Sequence, residues 1–347
     1  MEITVPINSL RDMEALADLG AKEFYCGLPP VDVSTVVNRQ DAYLLSEQEA
    51  RAVTAFANRN RLRIFYTLNM YYAPQVLPMV LDQLDRMTDS GSFGLIVSDV
   101  SLMADLHDRL PELELVASVM GHALNGEAVR FYREAGCKRV ILGTHLSEGE
   151  LEALVSDCRS TAELEALVLN SGCYYEDGFC AFEHRLLTTL SRESALKSAM
   201  RKSVANALDR GPRAARRIAY AFGPDRNPCC LRPGEIRILA GEKQRSRELE
   251  RAAYSLLSLE RFKHKCGLCA LRRLDRAGLA AVKIVGREKT LSEKKSDFLT
   301  VRSALKILRK ASDEKEYREH CLRLFQRRNG FDCGRAFCYY RDDDARV

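Results

Sequence analysis

Residues 114–142 read ELVASVMGHALNGEAVRFYREAGCKRVIL. A short apolar run, Glu114–Ser118, is followed by a stretch with helical spacing, Gly126–Ala135, and then by a second apolar run, Arg139–Leu142. Two strands separated by a helix cannot form a hairpin. They pair in parallel, with the helix as crossover.

The same unit repeats outward in both directions. Strands are expected at Ile3–Pro6, Glu23–Cys26, Leu62–Leu68 and Gly94–Val97 before it, and at Glu165–Leu169 and Ala281–Val285 after it. Helical patterns fall at Leu10–Leu19, Ser46–Asn60, Gln75–Met87, Leu102–Arg109 and Ser147–Val155, and a last one follows the final strand at Phe298–Lys310. Ser46 with Glu49, and Ser147 with Glu150, have capping-box spacing. Eight strands match an α/β fold of the TIM-like (β/α)8 barrel type; an open doubly wound sheet has a similar pattern. No GxGxxG follows a strand, which speaks against dinucleotide binding.

Strands seven and eight are separated by a Cys-rich insertion, residues 172–280, far longer than a crossover needs. The expected organisation is a barrel over residues 1–311 that includes this insertion, then a charged, Cys-containing C-terminal tail over residues 312–347. The 347 residues are 46% hydrophobic and 29% charged, an ordinary globular balance, with net charge +5 and no Trp. That charge does not by itself imply nucleic acid. No apolar run is long enough to span a membrane. Met1–Pro6 has neither a charged nor an apolar leader segment and is read as a first strand. The expected location is cytoplasmic, where thiols stay reduced.

Twelve cysteines therefore need an explanation other than disulfides. Cys26, Cys137 and Cys158 sit in apolar patterns and read as small core residues. The other nine follow residue 170. Cys173 and Cys180 come directly after strand seven, where barrel active sites are built. Cys229 and Cys230 lie between Pro228 and Pro233. Cys266-Gly267-Leu268-Cys269 is a CxxC ahead of a helix. These segments are polar and rich in turns, so burial as hydrophobes explains them poorly. Metal ligation explains them better, with a 4Fe–4S cluster and zinc both compatible with the spacing. Cys321, Cys333 and Cys338, with His320, form a candidate second site in the tail; an appended helix with free thiols accounts for them equally well.

The chain resembles the collagenase-like peptidase U-32 family. The resemblance rests on Ala17-Asp18-Leu19-Gly20-Ala21-Lys22-Glu23-Phe24-Tyr25-Cys26-Gly27, Tyr66-Thr67-Leu68-Asn69, Leu95–Asp99, Leu115–Met120, Arg139–Leu142 with the following Leu146-Ser147, the Cys173 and Cys180 pair, and Ala277–Arg287, in that order. It implies a TIM-like barrel and a 4Fe–4S cluster on Cys173, Cys180, Cys229 or Cys230, and Cys266, with Cys230 preferred over Cys229 and Cys266 over Cys269. It also implies oxygen-independent hydroxylation of an RNA base or of the aromatic ring of a quinone precursor, with prephenate as hydroxyl donor in some relatives. The chain departs from the family where Gly143-Thr144-His145-Leu146-Ser147 stands in place of Ala-Arg-Glu-Leu-Ser. It departs again where Val285 replaces an acidic residue, and in the length of the loop between Cys180 and Cys229.

Barrel geometry puts Asn69, Asp99, Ser118, Met120, His122, His145, Asn170 and Arg287 at the active face. Asp99 and His145 are the expected acid–base pair, and Arg287 an anion clamp. Each has a plainer reading as a satisfied polar residue at a strand end. Lys283 is expected inside strand eight. Arg201, Lys202, Arg210, Arg213, Arg216 and Arg217 form a basic stretch that could follow an RNA backbone, although a solvated helix face explains it better.

The leading expectation is an iron–sulfur hydroxylase acting on a small aromatic substrate or RNA. A peptidase is the alternative. No HExxH or GxSxG is present, and His184 is near Cys180 only in sequence. A non-catalytic cluster protein serving a partner subunit is the third reading.

Overall fold

The computed structural model describes residues 1–28, 45–69, 72, 74–170, 264–287, 289–333 and 337–340. Eight parallel strands close into a barrel: β1 (Glu2–Pro6), β2 (Glu23–Gly27), β3 (Arg63–Leu68), β4 (Gly94–Val97), β5 (Glu114–Ala117), β6 (Cys137–Ile141), β7 (Glu163–Leu169) and β8 (Ala281–Ile284). Closure is made where Glu2, Ile3 and Thr4 pair with Ala281, Val282 and Lys283. Every expected strand is present, with ends moved by at most two residues. A closed parallel barrel buries both faces of each strand, which is why the strands read as continuous apolar runs.

Helices cover the outside: α1 (Leu10–Ala17), α2 (Glu47–Arg59), α3 (Leu77–Thr88), α4 (Val100–Arg109), α5 (Gly126–Glu134), α6 (Glu148–Cys158), α7 (Leu271–Ala277), α8 (Leu291–Leu308) and α9 (Glu314–Asn329). Ser147 and Glu150 make the full reciprocal capping box of α6. At α2 only half of it forms. Ser46 accepts the Glu49 N–H, while the Glu49 carboxylate turns to the Leu10 N–H of α1. Helix α8 starts well before the expected Phe298, because Thr290 and Glu293 cap it. The tail holds a helix, one of the two accounts that the sequence left open: α9 has Asp313 as N-cap and left-handed Gly330 as its stop. Its buried residues Tyr317, Cys321, Leu324 and Phe325 keep helical spacing under a dense cover of charge.

The barrel interior is polar at its N-terminal end. Arg139, from β6, hydrogen-bonds Glu23 of β2 and both Glu163 and Glu165 of β7. Arg63 links Glu23 to Glu114 at 2.8 and 2.5 Å, and Thr4 donates to Glu23 at 2.5 Å. Burial alone would raise the Glu23 pKa, but its bonds to Arg139, Thr4 and Arg63 hold it below the usual carboxylate value. These groups floor the barrel. Cys26, Cys137 and Cys158 are buried among apolar neighbours, and burial pushes the Cys137 thiol up to about 12, as expected of core residues.

Candidate functional site

The C-terminal strand ends carry the candidate residues. After β8 the chain turns at Gly286, whose φ of +112° suits glycine, and a Cβ there would lie 2.9 Å from Lys289 Cδ. This turn presents Arg287. Its Nη1 donates to Thr67 Oγ1 of β3 at 3.0 Å, and its carbonyl accepts from Asn8 Nδ2 at 2.5 Å. The guanidinium therefore crosses the mouth of the barrel.

Below it, Lys283 is almost fully buried. Its Nζ lies 3.6 Å above the Tyr25 ring and 3.7 Å from Glu165 Oε1. Burial lowers its pKa to about 8, against the pull of Glu165 and Glu23. Tyr25 is fixed by donating to the Ile284 carbonyl at 3.1 Å.

On the opposite side of the mouth, Ser118 caps a 3-10 turn, Val119–Gly121, by accepting the Met120 N–H. His122 follows in the left-handed region. Gly143 donates its N–H to the Ala123 carbonyl, tying the segments after β5 and β6 together. His122 and His145 are thereby brought to 6.2 Å between ring centroids. Asp99 is the N-cap of α4: its Oδ1 accepts the Ser101 and Leu102 N–H groups, and its Oδ2 accepts the Tyr72 N–H at 3.4 Å. Its carboxylate is thus spent on backbone at the edge of the mouth.

Asn170 ends β7 at a φ of +77° and is fully buried. Its Nδ2 donates to the Val285 carbonyl and to Asp297, and its Oδ1 accepts from Lys289 and Arg328. Lys289, Asp297 and Arg328 were not singled out in the sequence. Their positions in separate charged stretches gave no signal that they meet.

Of the expected metal ligands, Cys173, Cys180, Cys229 and Cys230 lie outside the described residues, as do His184 and the basic stretch from Arg201 to Arg217. Cys266 is described. Residues 265–267 return alongside β7, with Asn170 N–H on Lys265 O and Gly267 N–H on Val168 O, both 2.8 Å. On the other side, Cys266 N–H bonds to Phe337 O and Tyr339 N–H to Cys266 O. The Cys266 thiol is thus buried at the end of β7. It shares this place with the other thiols of the CxxC and the tail. Cys269 and Cys321 are close enough to shift each other's thiol, as are Cys333 and Cys338, and the Cys321 thiol donates to the Leu268 carbonyl at 3.6 Å. His320 stands apart, facing Arg323, Arg327 and Glu316. Among the described residues no three Cys, His, Asp or Glu side chains close around a single ion position as they stand. No described helix is long and apolar enough to cross a membrane.

The closed (β/α)8 barrel gathers these polar residues at its C-terminal mouth, the end at which enzymes of this architecture carry their active sites. The model of peptidase family U32 matches residues 8–346, and the chain belongs to that family. Curated relatives include tRNA hydroxylation protein P of Escherichia coli, 25% identical over 52% of this chain and 38% of its own length. Another is tRNA hydroxylation protein P1 of Bacillus subtilis, 22% identical over 53% of this chain and 42% of its own. The chain thus spans about two fifths of the curated relatives it matches. A solved U32 peptidase is similar at a TM-score of 0.41 and 17% identity, covering 49% of this chain and 69% of its own.

Proposed function

We propose that this chain is an iron–sulfur enzyme that hydroxylates a base in RNA without O₂. The observation that carries the reading is the position of Cys266: its backbone is stitched to the end of β7, so a buried soft thiol stands at the same barrel mouth as Arg287, His122 and His145. The names of the tRNA hydroxylation relatives support RNA as the substrate. Cys266 fits a thiolate ligand in chemistry and place, and Cys173 follows β7 by four residues in sequence. Cys173, Cys180, Cys230 (or Cys229) and Cys266 would hold the cluster, which supplies one-electron transfer when bound.

The residues of the mouth have separate tasks. Arg287 holds an anionic group of the donor or of the RNA through its planar fork. His145, with His122 beside it, accepts the proton released from the ring. Asp99 fixes the start of α4 at the rim. The ring C–H becomes C–OH, a two-electron oxidation. It is balanced by a carboxylate-bearing donor whose C–OH carbon is reduced, as prephenate would be.

The test is anaerobic. Transfer RNA from cells lacking this protein is incubated with the iron-loaded chain and prephenate, then digested to nucleosides for mass spectrometry. One nucleoside gaining a single oxygen, and only with the donor present, is expected. An unchanged nucleoside profile, or cleavage of gelatin by metal-free protein, overturns the reading.

A further inference from the structure

Lys283 enters the barrel from β8, between the charged floor and the guanidinium of Arg287. Its side chain is 8% exposed, and its Nζ is buried with no hydrogen-bond partner. Two other largely buried lysines pair closely. Lys294 Nζ lies 2.8 Å from Asp12 Oδ2, and Lys289 Nζ lies 2.8 Å from Asp297 Oδ2. At Lys283 the facing oxygen, Glu165 Oε1, stands 3.7 Å away and is itself buried without a hydrogen bond. A lysine present only to neutralise Glu165 would close that gap, because a buried ammonium with unmade hydrogen bonds is costly. A neutral amine has less to satisfy, and it is the nucleophilic form of lysine. Burial brings the Lys283 pKa to about 8, and the charges of Arg139 and Arg287 press it the same way.

Arg287 supplies the other half of the site. Its Nη1 is bonded to Thr67 Oγ1. Thr67 pairs with Gly27, two residues along β2 from Tyr25, whose ring centre lies 3.6 Å from Lys283 Nζ. Two strand residues separate the levels of guanidinium and amine by about 6.6 Å. That matches a carboxylate hydrogen-bonded to the fork, with the adjoining carbon bonded to the amine.

We propose that Lys283 is a nucleophile that forms an imine with the ketone of an α-keto acid, whose carboxylate Arg287 holds.

The step balances without an oxidant. The amine lone pair makes the C–N bond, and the carbonyl π pair passes to oxygen. Both amine protons end on that oxygen, which leaves as water. Glu165 Oε1 takes the second proton from nitrogen, hands it to the departing hydroxyl and is returned unchanged. Its other oxygen is anchored on Arg139 Nη1 at 3.2 Å, which leaves Oε1 facing the amine. A ketone without a carboxylate has nothing for the Arg287 fork to grip. The inference goes beyond the hydroxylase reading and does not rest on it, since neither iron nor RNA takes part.

The experiment uses the full wild-type chain, with pyruvate as probe and sodium cyanoborohydride, which reduces an imine and spares a ketone. Peptide mass spectrometry is expected to find a carboxyethyl group on Lys283, added faster than on exposed lysines. Its rate should climb to a plateau above pH about 8, as the amine loses its proton. Butanone should label Lys283 about 10-fold less or worse, for want of a charged hydrogen bond. Arg287→Lys should raise the pyruvate concentration for half-maximal labelling about 10- to 100-fold. Lys283 left unlabelled overturns the proposal. So does a pH dependence like that of the exposed lysines, or equal labelling by butanone. An Arg287→Lys chain that is folded by circular dichroism and labels like wild type overturns it as well. The wild-type arms decide the matter if that variant misfolds.

Discussion

Arg139 Nη1 lies 2.5 Å from Glu23 Oε1 across the inside of the barrel, and the two side chains are 2% and 1% exposed. Glu165 adds a second buried carboxylate at 3.2 Å from the same nitrogen. The contact ties β6 to β2 and β7 at the end of the barrel remote from the mouth, where side chains serve stability.

Removing the cation alone should be severe. Arg139→Met leaves Glu23 and Glu165 buried with their main partner gone, and is expected to cost about 3–5 kcal/mol. Urea denaturation by far-UV circular dichroism measures it. A loss below ~1 kcal/mol would mean that water or Arg63 replaces the guanidinium.

Lys283 makes stability depend on alkaline pH. Its folded pKa, about 8, lies below the ordinary 10.5. As pH falls through that interval the unfolded chain takes the proton first, so this group's contribution to stability is full above 10.5 and is lost on the way down to 8. Compared with Lys283→Met, the wild-type chain should gain up to about 3 kcal/mol between those limits. Paired urea titrations of both chains at the two ends of the interval give the difference, in which the thiols and tyrosines cancel. An unchanged difference would show that the folded and unfolded chains bind the Lys283 proton alike, with no displacement of its pKa.

Asn170 combines a left-handed backbone with four side-chain partners, so two substitutions separate the terms. Asn170→Ala keeps the strain and loses the hydrogen bonds, and should cost roughly 2–4 kcal/mol. Asn170→Gly loses the same bonds but relieves φ, and should retain roughly 1 kcal/mol more. Thermal melts rank them; the reverse order would mean that the backbone is not held at this φ.

Arg287 should act on binding more than on folding. Arg287→Lys keeps the charge and loses the fork. Under the hydroxylase assay it should raise the donor's KM about 10- to 100-fold, equivalent to about 1.4–2.8 kcal/mol, with little change in melting temperature. An equal fall in kcat with KM unchanged would move Arg287 from binding to the chemical step.

The strand pattern was legible because a closed parallel barrel buries both faces of its strands, so each appears as an apolar run such as Leu95–Val97. Caps were legible where residues pair locally, as at Ser147 and Glu150. Where a local partner has a distant rival, the sequence misleads: Glu49 serves Leu10 and not Ser46. Helix α9 was legible only as one of two accounts of the tail, because its four buried residues are outnumbered by charge. Asp99 fits an acid by position, yet the backbone of α4 and Tyr72 take up its oxygens. The meeting of Asn170, Asp297, Lys289 and Arg328 joins segments as far as 158 positions apart, and no local spacing encodes it.

The return leg at Lys265–Gly267 is a splint with β7 on one side and Phe337–Tyr339 on the other. A chain stopped at Ala311 would strip its outer partner, baring the Cys266 N–H and C=O as a raw strand edge of the kind that recruits other molecules. It would also free the Asn170 carbonyl from Tyr339 and the Leu167 carbonyl from Tyr340. Shortening this protein from its end therefore exposes the shoulder of its seventh strand, and clumping of the trimmed product is the expected result.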